Sequence, residues 1–394
     1  MMTIIDILIY FAFAYFAHYL AKQSENNVIE NDISPYHWDK FLTWFVVFFS
    51  LIGGIRWNVG SDSISYVTIF DHVTQDFDDN REILWKYLVY SVQSSGIHWM
   101  VGLAICAFIQ IYFITKTLQP YRWLLVFMPF VFFGGRYWMD SMNAVRQMMV
   151  ACGFLWASRF IYQKKLGYYI LFIAIGLLIH QSAIILLPFY FVPNALRLYE
   201  KKYLLIGILL VCAAVGQTPA FQSFAGYAQI IAGASNYADK AESLAEILTS
   251  SQTNEALSFG PMMLSYLLIP IFIIWYGREL EEKYSEKIPY YNLWFNLAYV
   301  YACGYFLVCN IGHYFIRPVM YFCLFQMVLA TMLLRYLYDR YYHEGAARNA
   351  FYAFCVIIAV NTSWDVYKAS GKTFESSTYK ISFFHKDQQR WFGL

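Results

Sequence analysis

Residues 166–196 read LGYYILFIAIGLLIHQSAIILLPFYFVPNAL, an apolar stretch with a polar triplet, HQS at 180–182, near its centre. A single membrane-spanning helix over this stretch would put the basic segment 197–202 outside the cell and the cation-poor segment 219–260 inside. Both placements oppose the rule that Lys and Arg concentrate in cytoplasmic loops. We therefore predict two short half-spans that turn at the triplet. Broken helices of this kind line buried polar cavities.

The composition places the rest of the chain in a membrane as well. The 394 residues are 59% hydrophobic and only 14% charged, whereas soluble globular proteins carry about a quarter charged residues. A net charge of +2 leaves no basic surface for nucleic acid. The sequence predicts an all-α polytopic integral membrane protein, one membrane domain over 1–394 with about 12 (range 10–14) transmembrane helices.

The distribution of cations predicts the orientation of this domain. Sixteen of the 28 Lys and Arg residues fall in one alternating set of loops, which the positive-inside rule makes cytoplasmic. Helical loops at 56–96 and 219–260 and a tail at 364–394 are then expected to face outward. The start of the chain lacks the basic region of a cleaved signal peptide, so its first apolar segment is expected to remain a span. The cysteines show no metal-like spacing, and we expect no metal or cofactor.

Three outward-facing stretches carry arginines at the ends of spans, where the orientation rule disfavours them. The first reads RWNVGSD and runs from Arg56 to Asp62. Gly60 permits a tight turn, and the acid can cap the helix that follows. The pattern fits either a structural Arg56–Asp62 ion pair or an anion-binding arginine beside an acid.

The second stretch places charges at the start of an apolar span. Spacings of four, three and three put Arg136, Asp140, Asn143 and Arg146 on one helical face, provided that the helix begins this early. Gln147 follows directly. Such a polar stripe costs several kcal/mol against lipid, so we expect it to face a wet cavity.

The third stretch, 310–321, places His313 and Arg317 four residues apart, with Tyr321 on the same face. Pro318 predicts a kink that frees backbone carbonyls. Together with His180 at the predicted turn, the outer leaflet then gathers histidines and arginines. Arginines around one low-dielectric cavity repel each other unless a polyanion lies between them, and their planar forks suit phosphate oxygens. A pyrophosphate is the natural membrane polyanion.

These stretches resemble the EpsG/Wzy-type family of exopolysaccharide and O-antigen polymerases, over roughly residues 45–325. Ser61 stands where threonine is common. The matching elements are Arg56 to Asp62 followed by Tyr66, Asn143 with Arg146 and Gln147, His180 through Pro188 after a Lys164-Lys165 loop, and Arg317 with Tyr321.

The resemblance implies an integral membrane glycosyltransferase of the GT-C type, with short periplasmic helices, in the bacterial inner membrane. It would join undecaprenyl-pyrophosphate-linked oligosaccharide units at the outer face, without a metal, and with a chain-length regulator protein as partner. An O-antigen ligase would use the same donor with a different acceptor. A flippase-like transporter of lipid-linked oligosaccharide and a membrane O-acyltransferase are further alternatives.

The candidate site follows from these stretches. Arg146 and Arg317 are expected to stabilise the pyrophosphate leaving group, and a basic group must take the proton of the acceptor hydroxyl. We rank His180 first as that base because it lies on the broken helix, ahead of Asp62 and His313. The expected substrate-binding residues are Arg56, Arg136, Asp140, Asn143, Gln147 and Tyr321.

Overall fold

The computed structural model describes residues 2–60, 62–71, 82–219, 221, 260–310, 313–369 and 378–382, and it is almost entirely helical. The first half contains α1 Met2–Glu30, α2 Lys40–Gly54, β1 Arg56–Trp57, α3 Ser63–Asp71, α4 Ile83–Ser94, α5 Trp99–Leu118, α6 Arg122–Leu125, α7 Met128–Gly134, α8 Tyr137–Asn143, α9 Val145–Tyr162 and α10 Leu166–Leu177. The second half contains a 3₁₀ helix Gln181–Phe191, α11 Lys202–Gly216, α12 Pro261–Trp275, α13 Gly277–Tyr284, α14 Tyr291–Val308, α15 His313–Met320, α16 Cys323–Arg340, α17 Gly345–Ala369 and β2 Lys380–Ile381.

Three helical stretches in this described part are long and apolar enough to cross a membrane: Ile4–Glu30, Trp99–Leu125 and Gly345–Lys368. A fourth results if α12 and α13, which meet at a 54° bend, form one span. The protein is therefore an all-α membrane protein. Shorter apolar helices such as α2 and α10 need protein neighbours to lie at membrane depth. The dozen spans and the GT-C architecture stay predictions.

The turn predicted within 166–196 is confirmed. Helix α10 ends at Leu177, and the chain reverses into the 3₁₀ helix after His180, which has an extended backbone. The phenol of Tyr169 donates a hydrogen bond to the carbonyl of Leu186 (2.6 Å), so the two halves lie side by side. Gly176 lies against Ala183, where a Cβ added to the glycine would be 3.2 Å from the alanine Cβ.

The most extensive helix packing in the described part of the chain is that of α2 on α5 and of α5 on α9. Helix α2 begins where Asp39 accepts a hydrogen bond from the backbone of Leu42 (2.9 Å), and its buried face includes Phe45 and Phe49. Near its end the helix approaches α5 closely: a Cβ added to Gly53 would lie only 2.5 Å from the Cβ of Ala107. This close approach fixes the position at which the chain leaves α2 and enters the segment predicted to face outward.

A short two-stranded ladder follows α2. Strand β1 pairs antiparallel with β2, and the backbone N–H of Ser382 donates to the carbonyl of Ile55 (2.9 Å). The phenol of Tyr379 donates to the carbonyl of Ile52 (2.7 Å). The C-terminal segment therefore holds the chain in place where it leaves α2.

Most of the predicted outward-facing segments can be located. The described residues of 56–96 form β1, α3 and α4, and the outward orientation of this segment stays a prediction. The predicted tail begins within α17, which continues to Ala369. The loop at 219–260 lies almost wholly outside the described residues.

Candidate active site

The first ion pair of the site joins α15 to the turn before α3. Arg317 Nη2 lies 3.3 Å from Asp62 Oδ2, and the two side chains are 42% and 36% exposed. The backbone N–H of Asp62 donates to the side-chain oxygen of Asn143 (2.9 Å). The Asn143 side chain therefore orients the acid that faces Arg317.

Gly60 makes this turn possible. Its φ of +93° lies in the left-handed region, and an added Cβ would lie 3.2 Å from the Cα of Asn143. The carbonyl of Gly60 accepts a hydrogen bond from the backbone of Ser63 (3.1 Å). Only glycine satisfies both the backbone conformation and the close approach.

Two buried side chains hold α15 against its neighbours. Gln147 is 2% exposed, and its side-chain amide donates to the backbone carbonyl of Arg317. Tyr321 is fully buried, and its phenol lies 2.8 Å from the hydroxyl of Ser182 in the 180–182 turn. The structure therefore brings these two predicted residues to the core of the site, where they bond to protein groups.

The second ion pair involves Glu82, a residue that the sequence analysis did not select. Its Oε2 accepts a hydrogen bond from Arg146 Nη1 at 2.6 Å. Its Oε1 lies 3.3 Å from His180 Nδ1 and accepts a hydrogen bond from the backbone N–H of Gln181 at 3.1 Å. The carboxylate thus joins the start of α4 to α9 and to the predicted turn.

The environment of Glu82 favours its charged form. Burial alone would raise the pKa of this carboxyl, but the hydrogen bond from His180, the charge of Arg146 and backbone N–H donors lower the pKa from about 4.5 to about 2. Trp85 lies beneath the same arginine, with the guanidinium carbon 5.6 Å from the ring centroid. The carboxylate and the ring together fix the position of the Arg146 side chain.

Tyr66 connects the two ion pairs. Burial raises the pKa of its phenol, and the charges of Arg146, Asp62 and Arg317 all act on it. Its ring packs edge-on against Trp85 with centroids 5.9 Å apart. The backbone N–H of Tyr66 also donates to the carbonyl of Asp62 (3.1 Å), and Trp85 lies beneath Arg146, so Tyr66 lies between the two pairs. We therefore treat them as one site, termed the arginine cluster: Asp62, Tyr66, Glu82, Asn143, Arg146, Gln147, His180, Arg317 and Tyr321.

The polar stripe predicted along 136–146 is not one helical face, and this expectation was wrong. Helix α8 ends at Asn143 and α9 begins at Val145, because Ala144 adopts non-helical angles (φ −94°, ψ 54°). Arg136 and Asp140 instead form a separate group with Asp365 of α17. Arg136 lies 3.0 Å from the Asp365 carboxylate and 3.6 Å from that of Asp140.

Two other predicted residues are not part of the arginine cluster as the structure describes it. Arg56 is 1% exposed, and its guanidinium donates to the backbone carbonyls of Gly53 and Met142. It joins α2 to α8 and does not present its charge to a ligand in this conformation. His313 begins α15, but its side chain lies outside the described part of the structure.

A cleft of about 580 Å³ lies elsewhere, between residues 197–204 and 275–282 on the predicted cytoplasmic side. Its lining contains four basic and four acidic side chains. None of the predicted site residues lines this cleft. The arginine cluster remains the better candidate for binding a polyanion.

The sequence model of the EpsG family matches residues 40–379. The chain belongs to the EpsG family. No curated protein and no solved structure gives a significant match. Membership supports a role in polysaccharide polymerisation for this EpsG-family protein, through glycosyltransferase-like chemistry in a membrane, and it confirms the resemblance inferred from the outward-facing stretches.

Proposed function

We propose that this EpsG-family protein polymerises undecaprenyl-pyrophosphate-linked oligosaccharide units into O-antigen or exopolysaccharide at the outer face of the bacterial inner membrane. The observation that carries the proposal is that Arg146 and Arg317 lie on adjacent elements: Gln147, the residue next to Arg146 on α9, donates a hydrogen bond to the backbone carbonyl of Arg317 on α15. Arg146 pairs with Glu82 and is 31% exposed, and Arg317 pairs with Asp62 and is 42% exposed. The planar fork of a guanidinium suits phosphate oxygens, so these two partly exposed side chains are our candidates to bind the pyrophosphate.

The growing glycan on its lipid pyrophosphate is the donor in this proposal. As the bond between the anomeric carbon and the pyrophosphate oxygen breaks, its electron pair passes to that oxygen. Arg146 and Arg317 stabilise the negative charge that develops there. Arginines already held by Glu82 and Asp62 need little reorganisation during the reaction, which is how preorganised charges lower a barrier.

The acceptor is a hydroxyl of the incoming unit. It attacks the anomeric carbon from the face opposite the pyrophosphate, so the configuration inverts, and a basic group takes its proton. His180 is our choice for this base because its Nδ1 faces a carboxylate, which leaves Nε2 as the proton acceptor. No metal takes part in the proposed step.

The test is to incubate the purified protein in lipid nanodiscs with a defined undecaprenyl-pyrophosphate oligosaccharide and to separate the products by size. A ladder of multiples of the repeat unit supports polymerisation. Transfer only to added lipid A core identifies a ligase. Unchanged substrate that crosses the bilayer of sealed vesicles identifies a transporter. Either of the last two results overturns the proposal.

A further inference from the structure

Glu82 has more partners than a simple ion pair needs. One carboxylate oxygen takes the guanidinium of Arg146, and the other faces the His180 ring and the backbone N–H of Gln181. The carboxylate itself is only 8% exposed. Its three partners come from α9 and from the turn after α10, which are separate parts of the chain.

The backbone contact determines how the carboxylate meets the histidine. The backbone N–H of Gln181, the residue after His180, donates to the same oxygen, Oε1, that faces the imidazole. The 180–182 turn therefore holds both the ring and the carboxylate oxygen in position. A carboxylate on Nδ1 keeps a proton on that nitrogen and leaves the Nε2 lone pair free. It also stabilises the positive charge that appears when Nε2 accepts a proton, as the aspartate does in a serine-protease triad.

The contact with Arg146 adds a connection between ligand binding and the base. A phosphate that accepts hydrogen bonds from Arg146 weakens the electrostatic attraction between the guanidinium and Glu82. More of the carboxylate's charge then acts on the imidazole. Anion binding at the arginine thereby makes the histidine a stronger base when the donor is in place.

We infer that Glu82 is a positioning residue, which holds His180 as the general base and responds to anion binding at Arg146. The inference rests on the proposed function, because it gives His180 and Arg146 the roles proposed above. The titratable or charged groups around this corner are Glu82 just before α4, Arg146 from α9, Tyr66 from α3 with Asp62 and Arg317 beside it, and Tyr321 just after α15.

The test compares Glu82→Gln with the wild-type protein in the nanodisc polymerisation assay across pH. We expect kcat to fall about 100-fold. The KM for the lipid-pyrophosphate donor should not rise, because Arg146 loses a competing carboxylate. The acidic limb of the rate profile should move to lower pH, since removing an anionic neighbour disfavours the protonated imidazole. A purely structural role would leave the limb in place.

Two variants complete the experiment. Glu286→Gln makes the same chemical change at an exposed position after α13 and should match the wild type in rate and profile. Glu82→Asp keeps the charge with one methylene fewer, so kcat should fall while the acidic limb stays in place. This variant decides the question if Glu82→Gln does not fold, and an unchanged kcat in it would then overturn the inference.

The outcomes separate the two proposals. If the wild-type protein makes polymer and Glu82→Gln has the same rate and pH profile, the inference about Glu82 is wrong and the polymerase assignment stands. If the wild-type protein makes no polymer, both are wrong.

Discussion

The hydroxyl of Ser182 and the phenol of Tyr321 lie 2.8 Å apart, and this hydrogen bond ties the 180–182 turn to the end of α15. Tyr321 is fully buried, four residues after Arg317. The bond is between neutral groups, so it persists when the charges of the ion pairs change. It keeps the histidine of the turn and the arginine of α15 in a fixed relation.

The choice of base is tested with His180→Ala and Asp62→Asn. His180→Ala should lower the polymerisation rate by about 100-fold or more, because general-base catalysis contributes that much. Asp62→Asn should lower the rate less than His180→Ala does, because it releases Arg317 without removing the base, and it should lose less than about 1 kcal/mol of stability, since exposed ion pairs contribute little. Glycan length on gels and thermal unfolding in detergent measure the two effects. Polymer from His180→Ala together with none from Asp62→Asn would make Asp62 the base.

Removing an arginine tests stabilisation of the leaving group. Arg146→Ala and Arg317→Ala should each lower kcat by about 100-fold, the usual effect of deleting one preorganised donor in the transition state. Arg278→Ala is the matched control. This side chain is 75% exposed on α13, where it pairs with Glu282, and its loss should leave the rate unchanged. Full activity in both site variants would show that the pyrophosphate binds elsewhere.

Two glycines with positive φ allow the effect of backbone strain on stability to be distinguished from an effect on the active site. Gly60→Ala and Gly96→Ala should each lose about 1 kcal/mol, because both backbones lie in the left-handed region. Only Gly60 approaches Asn143, whereas a Cβ on Gly96 meets nothing within 4 Å. Polymerisation should therefore fall only in Gly60→Ala. Equal activity in the two variants, measured at equal folded protein, would argue against a role for the Asp62 turn.

The lowered pKa of Glu82 predicts a pH-dependent contribution to stability. Its folded-state value of about 2 lies below the ordinary 4.5, so the carboxylate stabilises the folded protein above about pH 4.5. That stabilisation is lost as the pH falls toward 2. The difference in melting temperature between the wild type and Glu82→Gln should shrink over this interval. A difference that is constant with pH would mean that the charge of Glu82 does not contribute.

The crossing of α2 and α5 gives a prediction about packing. Gly53→Ala places a methyl 2.5 Å from the Cβ of Ala107 and should destabilise the protein by about 1–3 kcal/mol. Gly207→Ala on α11 meets nothing within 4 Å and should be neutral or stabilise by up to about 1 kcal/mol. Thermal unfolding of both variants measures the difference. Similar melting temperatures would indicate that the two helices separate easily.

The sequence allowed the 180–182 turn to be predicted because the orientation rule excludes a continuous span there. The break at Ala144 was missed, since an alanine between two apolar helical patterns carries no signal of a helix end. Glu82 was missed for another reason: Arg146 and His180 lie 64 and 98 positions away. Its local sequence resembles any acidic helix start, and only the folded chain brings those partners to it.

The β1–β2 ladder determines when, during synthesis, the contacts at the end of α2 can form. Tyr379 and Ser382 bond to backbone groups 327 positions earlier in the chain. During synthesis, the contacts that hold the end of α2 and β1 can therefore form only after residues 378–382 have been translated. A ribosome stalled before residue 378 would leave a protein with its helices in the bilayer but without the contacts that close this end. The chain segment that leads to the site is therefore held in place only after residues 378–382 have been made.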